Sequence, residues 1–166
     1  MRTLCSPRIM ALIAALLGAA ALGVAFASEW WGGLVPCALC LWERWPYRVI
    51  IVLGALAAMA PRSMTRPLLG FVVLAFLVGA VLGGLHTGVE FRWWPSPLPE
   101  CAAPNFGSGS IADRLAAMPT VPSKPCDDPT YLVPFMPLSM AAMNLLFALG
   151  AAGLVSVALW QRPRAR

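Results

Sequence analysis

The chain has 166 residues, a net charge of +5, 60% hydrophobic residues and only 11% charged ones. A water-soluble domain is nearer half apolar and a quarter charged, so the composition excludes an ordinary soluble globule and points to a membrane protein. The positive balance requires no nucleic acid, because it is explained by membrane orientation and by attraction to anionic lipid.

Ile9–Ala27 holds nineteen residues without a charge. As helix this is about 28 Å at ~1.5 Å per residue, enough to cross a bilayer. Arg2, Arg8 and the Ala25-Phe26-Ala27 end also fit a secretory signal, but the apolar stretch exceeds the ~7–15 residues of a signal core. A retained helix over about 9–27 is expected. A second helix is expected over about 45–60, with Arg48 in its first turns snorkelling to the interface. A third is expected over about 68–86 and a fourth over about 138–160, the latter with Asn144 among its few polar residues. Gly79 and Gly83 form a G-x-x-x-G, which suits close helix packing. The fold class expected is an all-α membrane protein: an antiparallel four-helix transmembrane bundle, forming one integral membrane domain over 1–166.

Charge sets the orientation. Arg2 and Arg8, then Arg62 and Arg66, then Arg162, Arg164 and Arg166 supply seven arginines and no acid. Cytoplasmic loops are the ones enriched in Lys and Arg, so both termini are expected in the cytoplasm and the loops 28–44 and 87–137 outside. Trp30, Trp31, Trp42, Trp45, Trp93 and Trp94 gather at the outer helix ends, as an interfacial aromatic belt does.

Four of the five cysteines, Cys37, Cys40, Cys101 and Cys126, fall in the outer loops, one pair in each. In bacteria that compartment is oxidising, and Cys5 faces the reducing side. Structural disulfides, a zinc site and redox exchange are all open to the four. Zinc suits the spacing poorly, because the second pair is separated by twenty-four residues. A Cys-x-x-Cys bridge closes a small ring and gains little loop entropy; its known use is redox. Arg44 lies four residues after Cys40, on the same face if the helix has begun there, and can stabilise a Cys40 thiolate or an anionic cofactor oxygen. The single histidine, His86, sits in GGLHTGVE at the outer end of the third run, where an imidazole can pass protons near neutral pH.

The segment 87–137 holds ten of the sixteen prolines, which prevents long helices and regular sheet. One short helix is expected at Ile111–Met118, with Ser110 as N-cap and Asp113 closing a capping box. A Cys101–Cys126 bridge could close most of this loop, leaving exposed chain around each cysteine for a second protein to dock.

PCALCLWER (Pro36–Arg44), GLHTG, the four apolar runs and the long second outer loop together make the chain resemble the bacterial disulfide-bond formation protein B (DsbB) family over nearly its whole length. Pro137–Asn144 carries no motif that adds to this. The resemblance implies a monomeric inner-membrane thiol oxidase with its redox loops in the periplasm. It implies disulfides Cys37–Cys40 and Cys101–Cys126, with Cys101 attacked by a reduced, thioredoxin-like DsbA partner. Cys126 would pass the bridge to Cys37, releasing Cys40 as a thiolate beside a quinone (ubiquinone or menaquinone). Arg44 and His86 would hold that quinone. Two other functions fit the same residues: a vitamin K-type quinone or epoxide reductase, which also combines a four-helix bundle with Cys-x-x-Cys, and a non-enzymatic membrane scaffold with bridged loops.

Overall fold

A computed structural model describes residues 6–101, 110–116, 124–132, 135 and 137–160. Four long helices, α1 (Pro7–Trp30), α2 (Ala38–Met59), α3 (Arg62–Glu90) and α5 (Met140–Trp160), frame the molecule, and the short α4 (Ile111–Ala116) lies in the connection between α3 and α5. No strand forms among the described residues.

Each helix end has a local cause. Pro7 opens α1 at a position where its missing N–H costs nothing. Cys37 caps α2, its sulfur accepting the Cys40 N–H. Pro61 precedes α3, and the connection from α2 is two residues long, which forces the two helices to lie antiparallel. Arg8 reaches the Ala60 carbonyl (3.2 Å) and Arg66 the Leu159 carbonyl (3.0 Å), so the starts of α1 and α3 lie beside the ends of α2 and α5. Cations there also meet the negative ends of those helix dipoles. The Ser110–Asp113 capping box forms as expected, with Asp113 N–H donating to Ser110 Oγ (3.3 Å) and Ser110 N–H to Asp113 Oδ2 (3.0 Å). The expected last turn of that helix, residues 117–118, lies outside the described residues.

α2 packs between α1 and α3, and α5 packs on α3. Tyr47, Ile50, Leu69, Val72, Phe76 and Val155 form the centre of the main core. Two glycines set the spacing. A Cβ on Gly54 would lie 2.9 Å from the Ala11 carbonyl, and one on Gly83 would lie 3.0 Å from the Leu145 amide nitrogen. Small residues at these crossings let the backbones approach. The perimeter is apolar as well: Leu16, Phe71, Leu74, Val81 and Leu154 are exposed. A helix bundle apolar both inside and out is suited to lipid rather than water.

Among the described residues three helices, α1, α3 and α5, are long and apolar enough to cross a membrane; the sequence pattern predicts four. α2 is the difference. It starts at Ala38 rather than near Trp45 and so includes Glu43 and Arg44 along with Arg48. Glu43 and Arg44 are turned inward and buried. A criterion based on apolar runs cannot see a helical turn whose charged side chains face the interior. The outer loops contract in consequence, α1 running on to Trp30 and α3 to Glu90. The six tryptophans of the expected belt are all exposed at the shared end of α1, α2 and α3.

Candidate active site

At the N-terminus of α2, Cys37 and Cys40 are free thiols whose sulfurs lie 2.9 Å apart. The expected Cys37–Cys40 bridge is therefore not formed; the structure holds the pair as a dithiol, already in register. Helical geometry does this, since Cys37 at the cap and Cys40 one turn on share a face. Cys37 is buried. A hydrogen bond from Cys40 holds its thiol below the ordinary range, opposed by burial and assisted by the backbone N–H groups of Cys40 and Leu39. Helix N-termini lower thiol pKa values by this means.

His86 descends on the pair from α3. Its Nε2 lies 3.4 Å from Cys37 Sγ, and its Nδ1 lies 2.7 Å from Glu43 Oε1. A carboxylate can only accept, so Nδ1 carries the hydrogen and Nε2 presents its lone pair to the Cys37 thiol. Glu43 Oε2 accepts a second hydrogen bond from Asn144 Nδ2 (2.8 Å), and Asn144 Oδ1 accepts from the Tyr47 hydroxyl. The result is a continuous polar chain, Cys37–His86–Glu43–Asn144–Tyr47, built by α2, α3 and α5 inside an apolar bundle. A nucleophile, a base and a carboxylate that orients the base are the parts of an activated nucleophile.

The sequence pattern indicated His86 but not Glu43, Tyr47 or Asn144. A signal was present: Glu43 is an acid within a helix otherwise suited to lipid, and such residues are costly unless they work. Its partners are 43 and 101 residues away in sequence, which no local pattern reveals.

Arg44 does not meet Cys40. Its Nη1 and Nη2 pair with the two oxygens of Glu29 at the end of α1, and the guanidinium lies 5.1 Å from the Phe26 ring centre. A bidentate carboxylate matches the planar guanidinium fork better than a single sulfur does. Arg44 Nε is buried, with no hydrogen-bond partner among the described residues. Arg44 and Cys40 instead border one cavity of about 250 Å³ between α1, α2 and α5, together with Glu43, Tyr47, Asn144 and Phe147. Its remaining lining is four alanines, two methionines, Leu22 and Val24.

Cys101 and Cys126 are joined by a disulfide, with Cα atoms 4.9 Å apart. Both are buried, in one cluster with Cys37, Leu39 and Val89, against which Cys40 packs. A backbone bridge between Cys37 and Lys124 ties the outer segment down beside the dithiol. Lys124 is itself held by the Pro129 carbonyl (3.3 Å) and the Thr130 hydroxyl (2.9 Å). The four outer cysteines are thus gathered in one place. The chain flanking the outer bridge is exposed at Pro99, Glu100, Asp127 and Asp128, as expected, whereas Cys101 and Cys126 themselves are buried.

Comparison with known proteins agrees with this chemistry. The family model described as disulfide bond formation protein DsbB matches residues 7–158. An uncharacterised protein of Rickettsia prowazekii is 28% identical over 83 residues, 50% of this chain and 48% of that protein, so the match spans about half of that relative's length. The disulfide bond formation protein B of Pasteurella multocida is 28% identical over 127 residues, 70% of each chain. No solved structure matches. A match over nearly the whole chain, on residues that bring two cysteine pairs together at the end of an apolar bundle, places this protein in the DsbB family of membrane disulfide-bond formation proteins.

Proposed function

We propose that the chain is an inner-membrane thiol oxidase that re-oxidises a periplasmic, DsbA-like thioredoxin-fold protein and passes the electrons to a respiratory quinone. It works as a single four-span integral membrane domain with both termini in the cytoplasm. α2 is the fourth span, since it is 22 residues long and its inner charges are paired. The observation that carries the proposal is the meeting, at Cys40, of a dithiol backed by His86 and Glu43 with an apolar cavity bordered by Arg44.

The reaction is a chain of exchanges. A partner thiolate attacks Cys101, and the Cys101–Cys126 bond breaks; the partner's second thiol then resolves the mixed disulfide and leaves with the new bridge. The Cys126 thiolate attacks Cys37 of the oxidised inner pair, and Cys40 leaves as a thiolate. Cys101 then displaces Cys37, restoring the outer bridge and leaving the inner pair reduced. Packing of the outer bridge against Cys37 brings these sulfurs within one cluster.

The residues present fit a quinone ring. The cavity, about 250 Å³, is slightly smaller than the ~300 Å³ lower end of common ligand clefts, and would hold a quinone ring between Cys40 and Arg44. When bound, the quinone accepts two electrons and two protons as the inner disulfide re-forms. The chain supplies the rest. Arg44 offers a fixed positive charge at the cavity it borders. His86 Nε2 takes the Cys37 proton, and Glu43, which borders the cavity, accepts from His86 Nδ1–H. Leu22, Val24, Met140, Met143 and Phe147 make the rest of the lining apolar.

The test is oxidation of a reduced DsbA-like protein by the purified chain with excess quinone. Oxidation that is lost in Cys37→Ser and Cys40→Ser is expected. Oxidation that persists in both variants overturns the proposal.

A further inference from the structure

We propose that the reduced Cys37–Cys40 pair and His86 form a zinc site, a chelate of two thiolates and one imidazole that exists only while the dithiol is reduced. Cys37 Sγ, Cys40 Sγ and a ring nitrogen of His86 all lie within 4.8 Å of one another. Tetrahedral zinc with Zn–S near ~2.3 Å and Zn–N near ~2.0 Å spaces its sulfurs ~3.8 Å apart and its sulfur and nitrogen ~3.5 Å apart. The Cys37–His86 separation of 3.4 Å already meets the second requirement. The sulfurs, at 2.9 Å, need to open by just under ~1 Å, which a small rotation of either side chain supplies.

A second observation points the same way. Zinc-binding histidines commonly donate their other ring N–H to a carboxylate, which fixes the tautomer and raises ligand basicity. His86 Nδ1 does this with Glu43 Oε1 at 2.7 Å, and Asn144 in turn holds Glu43. The lone pair at Nε2 is therefore aimed at the sulfurs with its outer support in place. Cys40 borders the cavity, so a fourth, exchangeable ligand has space beside it, as in open Cys2His zinc sites.

Charge selects the metal. With the Glu43 carboxylate counted, two thiolates and a divalent ion leave the buried site at −1, whereas a monovalent soft cation leaves it at −2. Binding releases two thiol protons to solvent and involves no change of oxidation state, so zinc affinity rises with pH. The zinc form holds both sulfurs and cannot exchange with a disulfide. Once the pair is oxidised, its sulfurs are neutral and the chelate is lost. Metal binding and disulfide exchange therefore exclude one another, and zinc is an inhibitor of the reduced enzyme.

The experiment uses the full chain in detergent, reduced under anaerobic conditions and titrated with Co(II) and then Zn(II). Expected are one Co(II) per chain with sulfur-to-metal charge-transfer absorption and tetrahedral ligand-field bands, displaced by Zn(II). Both signals should vanish when the same protein is oxidised, and in a Cys37→Ser/Cys40→Ser variant that keeps Cys101 and Cys126. His86→Ala should weaken binding at least ~10-fold, and Glu43→Gln, which preserves shape, about 10-fold. X-ray absorption of the zinc form should show two sulfur neighbours and at least one nitrogen. Equal binding by oxidised and reduced protein, an octahedral spectrum without charge transfer, or unchanged affinity in both His86→Ala and Glu43→Gln would overturn the site. The readout needs no turnover, so its failure leaves the thiol-oxidase proposal standing.

Discussion

Glu43→Gln isolates the element of the site that sequence reasoning missed. The substitution keeps volume and hydrogen-bonding reach but removes the charge that accepts from His86 Nδ1 (2.7 Å) and Asn144 Nδ2 (2.8 Å). A glutamine carbonyl can still accept one of these hydrogen bonds, and Asn144 can flip to accept from the new amide, so the fold should survive. What is lost is the charge assistance when the Cys37 proton moves to Nε2. Hydrogen bonds to charged groups contribute roughly 1.5–3 kcal/mol and neutral ones about 0.5–1.5, a difference of about 1.2 kcal/mol between the midpoints. That is roughly eightfold in an equilibrium, or close to one pH unit. An opposing effect is the direct repulsion between the Glu43 charge and the Cys37 thiolate, which the variant relieves. It should be the smaller, because His86 stands between the two and touches both. The assay is single-turnover quinone reduction by pre-reduced protein as a function of pH. Wild-type Cys37 is held below the ordinary thiol range, so its rate should rise with pH and level off below the ~8.5 of a free thiol. In Glu43→Gln the rising limb should move about one unit to alkali, with the rate roughly eightfold lower on that limb and converging with wild type above it. An unmoved limb, or one moved to acid, would refute the reasoning.

Gly83→Ala places a methyl 3.0 Å from the Leu145 nitrogen and 3.1 Å from Asn144 Nδ2; it should destabilise the bundle by about 1–3 kcal/mol, seen as a lower detergent-unfolding midpoint, and should disturb Asn144 before any cysteine. Arg44→Ala should raise the apparent KM for quinone about tenfold or more while altering partner oxidation at saturating quinone much less; an unchanged KM removes Arg44 from the cavity's function. Arg44→Lys should restore little of this loss, because an ammonium cannot match the two oxygens of Glu29 and reach the cavity together.

How much of this was legible in the sequence follows from the range of each interaction. The Cys37–Cys40 spacing, the Ser110 cap and the apolar runs of α1, α3 and α5 are local patterns, and each corresponds to a local feature of the structure. Where α2 begins was not legible, because its first turns carry Glu43 and Arg44 and look like loop until their inward partners are known. The partner of Arg44 was missed for the same reason: Glu29 is fifteen residues away on another helix. The polar chain through Glu43, Asn144 and Tyr47 depends on α2, α3 and α5 crossing at Gly79 and Gly83, a three-helix coincidence that hydropathy does not encode. The gathering of Cys101–Cys126 against Cys37 is likewise a long-range contact that spacing does not encode.

The central claim is that electrons pass from the outer pair to the inner pair and then to quinone. Thiol trapping of Cys37, Cys40, Cys101 and Cys126, read by mass spectrometry after mixing with reduced partner, tests it most directly. Without quinone, thiols should accumulate at Cys37 and Cys40 while Cys101–Cys126 is bridged, and the inner pair should re-oxidise when quinone is added. Accumulation of thiols at Cys101 and Cys126 with the inner pair still bridged, or an inner pair indifferent to quinone, would contradict it.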